Sequence, residues 1–312
     1  MRNWGARLRT DCTLAGHRAL VLENPQLRVT LLPGRGGDVV EFLHKPSDTD
    51  FCTFNHRGLR RPEVLAGLPF MDAYYGGWQE VFPSGGVPCT FAGANFDQHA
   101  EVALLPWDVA VLRDDAEEVA VALEVQCLRT PLRLRREVRL AAPGACLQVR
   151  STASSGGSEP QPLMWGQHLA FGPPTVGPGT RVELPPGAAV VEHAGALPLD
   201  RLLTTPALGE PSTVVYLTGF REGRYRILPS TAPVGLEVRW DAAVLPYLWC
   251  WREAGGTAGF PWYGREYLVG FEPFSSYPTD GGLALAVANG SALVLQPGAS
   301  RSVQWSVGVT PP

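Results

Sequence analysis

Apolar and polar positions along this chain alternate mainly with a period of two, the pattern of strands that have one buried and one wet face. Val119, Val121, Leu123 and Val125 alternate through residues 119–127. Leu132, Leu134, Val138 and Leu140 do the same through 132–140, with Arg133, Arg135 and Arg139 on the other face. With 147–153 these runs predict an antiparallel meander. Earlier, 18–22 and 27–32 read as a strand pair around the Asn24-Pro25 turn. The Pro33-Gly34-Arg35-Gly36-Gly37 loop separates them from a strand at 38–43. Residues 164–172 read as a short strand bounded by Gly. Further strands are expected at 181–184, 188–192, 214–218, 224–228, 234–240, 248–251, 267–272, 283–287, 292–295 and 302–309. Trustworthy helical periodicity is absent, and Ser154–Ser158 reads as a loop between strands. From 52 to 101 the pattern is irregular and aromatic, notably Tyr74-Tyr75-Gly76-Gly77-Trp78-Gln79-Glu80-Val81-Phe82-Pro83, which suits a binding loop.

Composition agrees with an all-β chain. The 35 Gly and 29 Pro make up about a fifth of the 312 residues and punctuate it at short intervals. The absence of an internal repeat argues against a propeller and for one sandwich domain over 1–312, made of two large antiparallel sheets. Net charge is −4, so no basic face advertises a nucleic-acid partner. Lys45, in His44-Lys45-Pro46, is the only lysine, and it lies outside any Gly-rich phosphate loop. Schiff-base and phosphate-loop chemistry are thereby set aside. The six cysteines are scattered with no CxxC, giving neither a zinc pattern nor a disulfide framework. Met1–Cys12 has no apolar stretch, so no signal peptide is expected, and no window approaches the roughly 20 apolar residues of a membrane helix. A cytoplasmic protein without a membrane or nucleic-acid partner, monomeric or homodimeric, is the expectation.

GxSxG, HExxH and GxGxxG are all missing, which leaves histidines and carboxylates as candidate chemistry. His168 stands alone among apolar and aromatic neighbours in Met164-Trp165-Gly166-Gln167-His168-Leu169-Ala170-Phe171-Gly172. A buried imidazole must bond a neighbour or handle a proton. Glu272 ends the apolar run Tyr267-Leu268-Val269-Gly270-Phe271, where a carboxylate is partly desolvated. His99 lies in Asp97-Gln98-His99-Ala100-Glu101, shortly before Leu104-Leu105-Pro106-Trp107. Trp249 and Trp251 share one face of their strand, as cleft walls or as core. Trp78, Gln79 and Glu80 in the irregular segment, and Arg35 in its Gly-rich turn, are candidate ligand contacts; Arg35 suits a hydroxyl or a phosphate.

The ordered set His99-Ala100-Glu101…Leu105-Pro106-Trp107, Trp165-Gly166-Gln167-His168 and Gly270-Phe271-Glu272-Pro273 resembles the aldose 1-epimerase (galactose mutarotase) family over about residues 18–309. The Gly76-to-Pro83 run and Val29-to-Gly37 also resemble family segments. This resemblance implies a galactose mutarotase-like β-supersandwich with an open cleft on one sheet. It implies a small-molecule sugar substrate and no cofactor or metal. Glu272 is implied as the base that takes the C1 hydroxyl proton, His168 as the acid that protonates the ring oxygen, and His99 as a second His beside that oxygen. Unperturbed pKa values near ~4.3 and ~6.5 suit a Glu and a His to such paired proton transfer. Ala100, Leu169-Ala170 and Ser84 depart from the family pattern and bear on which sugar is used. Asp200 and Asp241 are both candidates for a hydroxyl clamp. Alternatives are a carbohydrate-binding protein without turnover, another sugar isomerase or lyase, and a hexose-phosphate 1-epimerase, which would require clustered Arg in the cleft.

Overall fold

The computed structural model describes residues 4–193 and 195–311, so the expectation for Met1–Cys12 lies partly outside the described residues. Two large antiparallel sheets face each other. The eleven-stranded sheet runs Arg7–Leu14, His17–Glu23, Leu27–Leu32, Asp38–His44, Trp78–Val81, Gly166–Phe171, Tyr267–Phe274, Tyr247–Ala254, Thr213–Thr218 and Ala189–Val190, with Thr49–Asp50 beside Asp38–His44. The eight-stranded sheet runs Arg181–Glu183, Gly223–Leu228, Gly235–Trp240, Ser300–Thr310, Cys146–Ser155, Leu132–Ala141, Glu118–Gln126 and Asp108–Asp114. Phe42, Trp78 and Phe171 from the first meet Val121, Val138 and Leu147 from the second in one core. The fold is thus the expected all-β pair of large antiparallel sheets.

Most strands lie where the alternation predicts them. Residues 283–287 do not: they belong to an α-helix, Gly282–Ala288. The Leu-Ala-Leu-Ala-Val-Ala run has strong helix formers and no polar alternation. Its Leu283 and Ala286, three apart, share a buried face against Phe96 and Phe274. Of the strands that escape the pattern, two do so for opposite reasons. Arg7–Leu14 is an edge strand, exposed over much of its length, so nothing forces it to alternate. Trp78–Val81 is buried on both faces.

The outer face of the large sheet is largely covered. The hairpin Cys89–Phe91/Ala94–Phe96, the Gly282–Ala288 helix and the short helix Phe70–Ala73 lie over its middle. Central strands therefore read as near-continuous apolar runs in which any polar residue stands out.

Between the sheets the exception to apolar packing is Glu80. It is fully buried and accepts hydrogen bonds from Arg136 Nε (2.6 Å), Trp165 Nε1 (2.7 Å) and Ser151 Oγ (3.0 Å). Arg136 also donates to the Gly37 carbonyl (2.8 Å) and lies over the Trp107 ring. Glu80 is thus a tie between sheets, and the expectation that it contacts a ligand is corrected. Trp78 is corrected likewise: its ring packs against Phe42 and Phe171, and its Nε1 donates to the Ala170 carbonyl. Strand alternation is the reason, since Trp78 and Glu80 share the inward face.

Removing one partner of such a buried pair leaves the other charge unpaired. Glu80→Ala is expected to lower unfolding free energy by about 3–5 kcal/mol. The double change Glu80→Met/Arg136→Met is expected to recover most of that loss. Urea denaturation of the three proteins checks both outcomes.

Candidate active site

Register builds the site. Gly166 pairs with Phe274 and Ala170 with Gly270, which puts His168 directly opposite Glu272. On one side Gln79 pairs with His168; on the other Trp249 pairs with Glu272, and Tyr216 with Trp249. Tyr216, Trp249, Glu272, His168 and Gln79 therefore form a row across five strands on the outer face of the large sheet.

A pocket of about 650 Å³ opens on this row. His99, His168 and Glu272 line it together with Phe70, Tyr74, Trp249, Trp251 and Trp262. His168 Nε2 stands 3.7 Å from Glu272 Oε1, with both side chains almost fully buried. His99 arrives from the covering loop, in a left-handed backbone conformation (φ 51°). Its ring lies 5.3 Å from that of His168, and Phe70 packs edge-on against it at 4.7 Å. The Gly86 N–H donates to His99 Nδ1 (3.2 Å), so a neutral His99 carries its proton on Nε2. The three residues named from the sequence thus share one pocket.

Two glycines make the row possible. Gly166 lies under the Phe274 ring, where a Cβ would overlap it, and that ring stacks in parallel on Trp249 at 3.6 Å. At Gly270 a Cβ would overlap Glu272 Oε1, because the carboxyl folds back over its own strand.

Burial dominates the electrostatics. It pushes the Glu272 carboxyl well above the usual carboxylate range and holds the His168 imidazole down at about 4. His99 is driven well below its ordinary value by burial first and by the neighbouring His168 second. Burial thus favours the uncharged form of both Glu272 and His168. His168 Nδ1 and the Tyr74 hydroxyl are buried with no hydrogen-bond partner in the protein. Among the described residues, no cluster of three or more His, Cys, Asp and Glu is arranged to hold a metal ion.

The other expected contacts divide. Trp249 and Trp251 line the pocket. Gln79 lies beside His168 but is turned to Asp38 Oδ2 (3.2 Å) and the Gly76 carbonyl (2.7 Å), as a neighbour that braces the row. Asp38 also accepts from the Tyr75 hydroxyl, and burial lifts its carboxyl to about 6. Arg35 lines a different cavity. Asp200 and Asp241 are exposed and line no part of this pocket. Sequence reasoning passed over Phe70 and Gly270, and placed Tyr74 only within the aromatic segment that suits a binding loop. Gly270 left a signal, as a glycine in a strand interior two residues before a carboxylate.

Two measurements follow from this geometry. An unfolded imidazole titrates near ~6.5, against about 4 in the folded protein. The stability tied to keeping His168 neutral is present above pH 6.5 and is lost as pH falls toward 4. His168→Gln is expected to remove about 2 kcal/mol of the stability loss between pH 7 and pH 5, seen by urea denaturation at the two pH values. Gly270→Ala is expected to displace the Glu272 carboxyl while leaving the fold intact. A crystal structure of that variant showing Glu272 unmoved would contradict the packing described.

No curated protein matches the chain by sequence. Solved structures share its fold. A Klebsiella pneumoniae protein provisionally named an aldose 1-epimerase superposes with a TM-score of 0.76 at 16% identity, covering 98% of this chain and 83% of that one. A galactose mutarotase-like protein from Clostridium acetobutylicum gives 0.71 at 13% identity, covering 99% of each chain. One from Lactobacillus casei gives 0.63 at 16%, covering 93% of this chain and 99% of that one. At these identities the likeness is one of fold, and it identifies the two sheets as a galactose mutarotase-like β-supersandwich. A family model described as a domain of unknown function, DUF4432, matches residues 14–309, and the chain belongs to that family.

Proposed function

We propose that the protein interconverts the α and β anomers of an uncharged aldose by acid–base ring opening. The observation that carries this reading is His168 Nε2 standing 3.7 Å from Glu272 Oε1 on the floor of an aromatic pocket. A hemiacetal carbon bears two oxygens, the hydroxyl and the ring oxygen. A pair of groups this close can serve both: one takes the hydroxyl proton while the other gives a proton to the ring oxygen. Glu272 is the base and His168 the acid in this scheme. That arrangement lies one proton shift away from the uncharged pair that burial favours, and the hydroxyls of a bound sugar supply hydrogen bonds that favour the charged form. The neutral His99, with its proton on Nε2, donates to the ring oxygen or to a hydroxyl beside it. After rotation about C1–C2 the roles reverse and the ring closes on the other face.

The walls support a sugar ligand. Trp249, Trp251, Trp262 and Phe70 offer faces and edges to the C–H surface of a pyranose. Among the described residues lining the pocket there is no Arg or Lys, which favours an unphosphorylated sugar over a hexose phosphate.

Exchange NMR on anomeric protons tests the proposal with glucose, galactose, xylose, arabinose, rhamnose and glucose 6-phosphate. Exchange above the spontaneous rate is expected for at least one neutral sugar and not for glucose 6-phosphate. Glu272→Gln and His168→Gln are each expected to slow it by about 10²- to 10⁴-fold. Line broadening of a sugar without exchange would replace catalysis with binding on the same scaffold.

A further inference from the structure

Two walls of the pocket stand on segments outside the large sheets. Phe70 and Met71 enter it from the short helix Phe70–Ala73, and Trp262 enters it from the turn at 259–265. The helix has four residues, so its Met71 and Asp72 carbonyls have no partner within it. The turn's backbone hydrogen bonds close on 257–265: the Trp262 and Tyr263 amides donate to the Gly259 carbonyl (3.1 and 2.8 Å), and the Gly264 amide to the Thr257 carbonyl (2.7 Å). Phe260 and Tyr263 on this turn are more than half exposed, and Trp262 is the ring that it buries.

Arg57 joins the two segments. Its Nη2 donates to the Met71 carbonyl (2.8 Å) and its Nη1 to the Asp72 carbonyl (3.1 Å). The same guanidinium lies over the Trp262 ring (5.8 Å to the centroid) and over the Phe260 ring (5.9 Å). Trp262 in turn meets the Trp251 ring at 5.7 Å and the Tyr74 ring edge-on at 5.9 Å, and Tyr74 stands 5.3 Å from the His168 ring. On the helix side, Phe70 packs against His99. Beside Arg57, the His56 amide donates to Glu266 Oε1 (2.8 Å) and the His56 ring pairs with the same carboxylate, which pins the chain just after the turn. Arg57 itself lines no part of the pocket. A planar guanidinium serves two carbonyls and a ring face together, where the single ammonium of a lysine does not hold all of them.

We propose that Arg57 is a positioning residue for the sugar pocket. It clasps the Trp262 turn to the Phe70–Ala73 helix and so sets the spacing of two aromatic walls around the sugar. The identity of the ligand rests on the mutarotase reading; the clasp rests on packing alone. The contacts of Arg57 go to the walls and not to Glu272 or His168, so its loss acts on the fit of the sugar rather than on proton transfer.

Anomer-exchange kinetics and amide hydrogen exchange on the full chain test it. Arg57→Met is expected to raise KM for the sugar that is turned over by about fivefold or more, with kcat changed by less than about twofold. Arg57→Lys keeps a cation near the rings without the fork, and is expected to fall between that variant and the wild type. In a Trp262→Ala background, Arg57→Met is expected to raise KM by less than it does alone, because both changes loosen one wall. With no sugar present, the amides of 257–266 are expected to exchange faster in Arg57→Met, while those of the strand Glu118–Gln126 keep their wild-type rates. An unchanged KM, a loss confined to kcat, fully multiplicative effects with Trp262→Ala, or unchanged exchange at 257–266 overturns the proposal. Should Arg57→Met fail to fold, Arg57→Lys carries the same readouts. A wild-type protein that turns over no sugar defeats the mutarotase reading instead, and hydrogen exchange at 257–266 still decides whether Arg57 holds the wall.

Discussion

Glu272 and His168 are about a hundred residues apart in sequence and face each other because two strands pair in one register and no other. Gly166 against Phe274 and Ala170 against Gly270 leave them no freedom to separate. A slip of one residue would turn His168 toward the inter-sheet core and bring Gln167 outward. That register is protected by shape. The Phe274 ring fits over Gly166, the one residue without a Cβ to obstruct it, and then stacks on Trp249 from the next strand. The same packing that fixes the register thus forms one wall of the pocket.

Beneath the row, the inward residues of the same strands do different work. Trp78–Val81 sends Trp78 and Glu80 into the interior and Gln79 toward the row. Glu80 gathers Arg136 and Ser151 from the facing sheet and Trp165 from the start of the pocket strand. A carboxylate holding three short, directed hydrogen bonds constrains orientation more tightly than apolar contact does. The central strands therefore have a fixed stack behind them, and side chains on their outer face inherit that rigidity.

The aromatic walls act twice. They form the pocket's apolar surface, and they exclude water from Glu272 and His168. Exclusion drives the Glu272 pKa up and the His168 pKa down, and so favours the uncharged form of each. The buried Arg35 stands outside this pocket.

The sequence by itself determined the all-β architecture, most strand positions and three of the groups that line the pocket. These are legible because alternation is a local property, and because a lone His or Glu in an apolar run is conspicuous. It also carried the family resemblance that linked them. It could not separate Trp78 and Glu80 from Gln79, since adjacent residues on one strand face opposite sides and nothing local says which side is the core. Residues 283–287 were ambiguous for a related reason: an apolar Leu-Ala run fits either period, and packing against Phe96 and Phe274 selects the helix. Arg35 looked like a pocket residue until the Pro33–Gly37 turn docked against 105–107. Which residues meet, and which face looks where, depends on pairings between segments far apart in the chain, and only the tertiary structure fixes those.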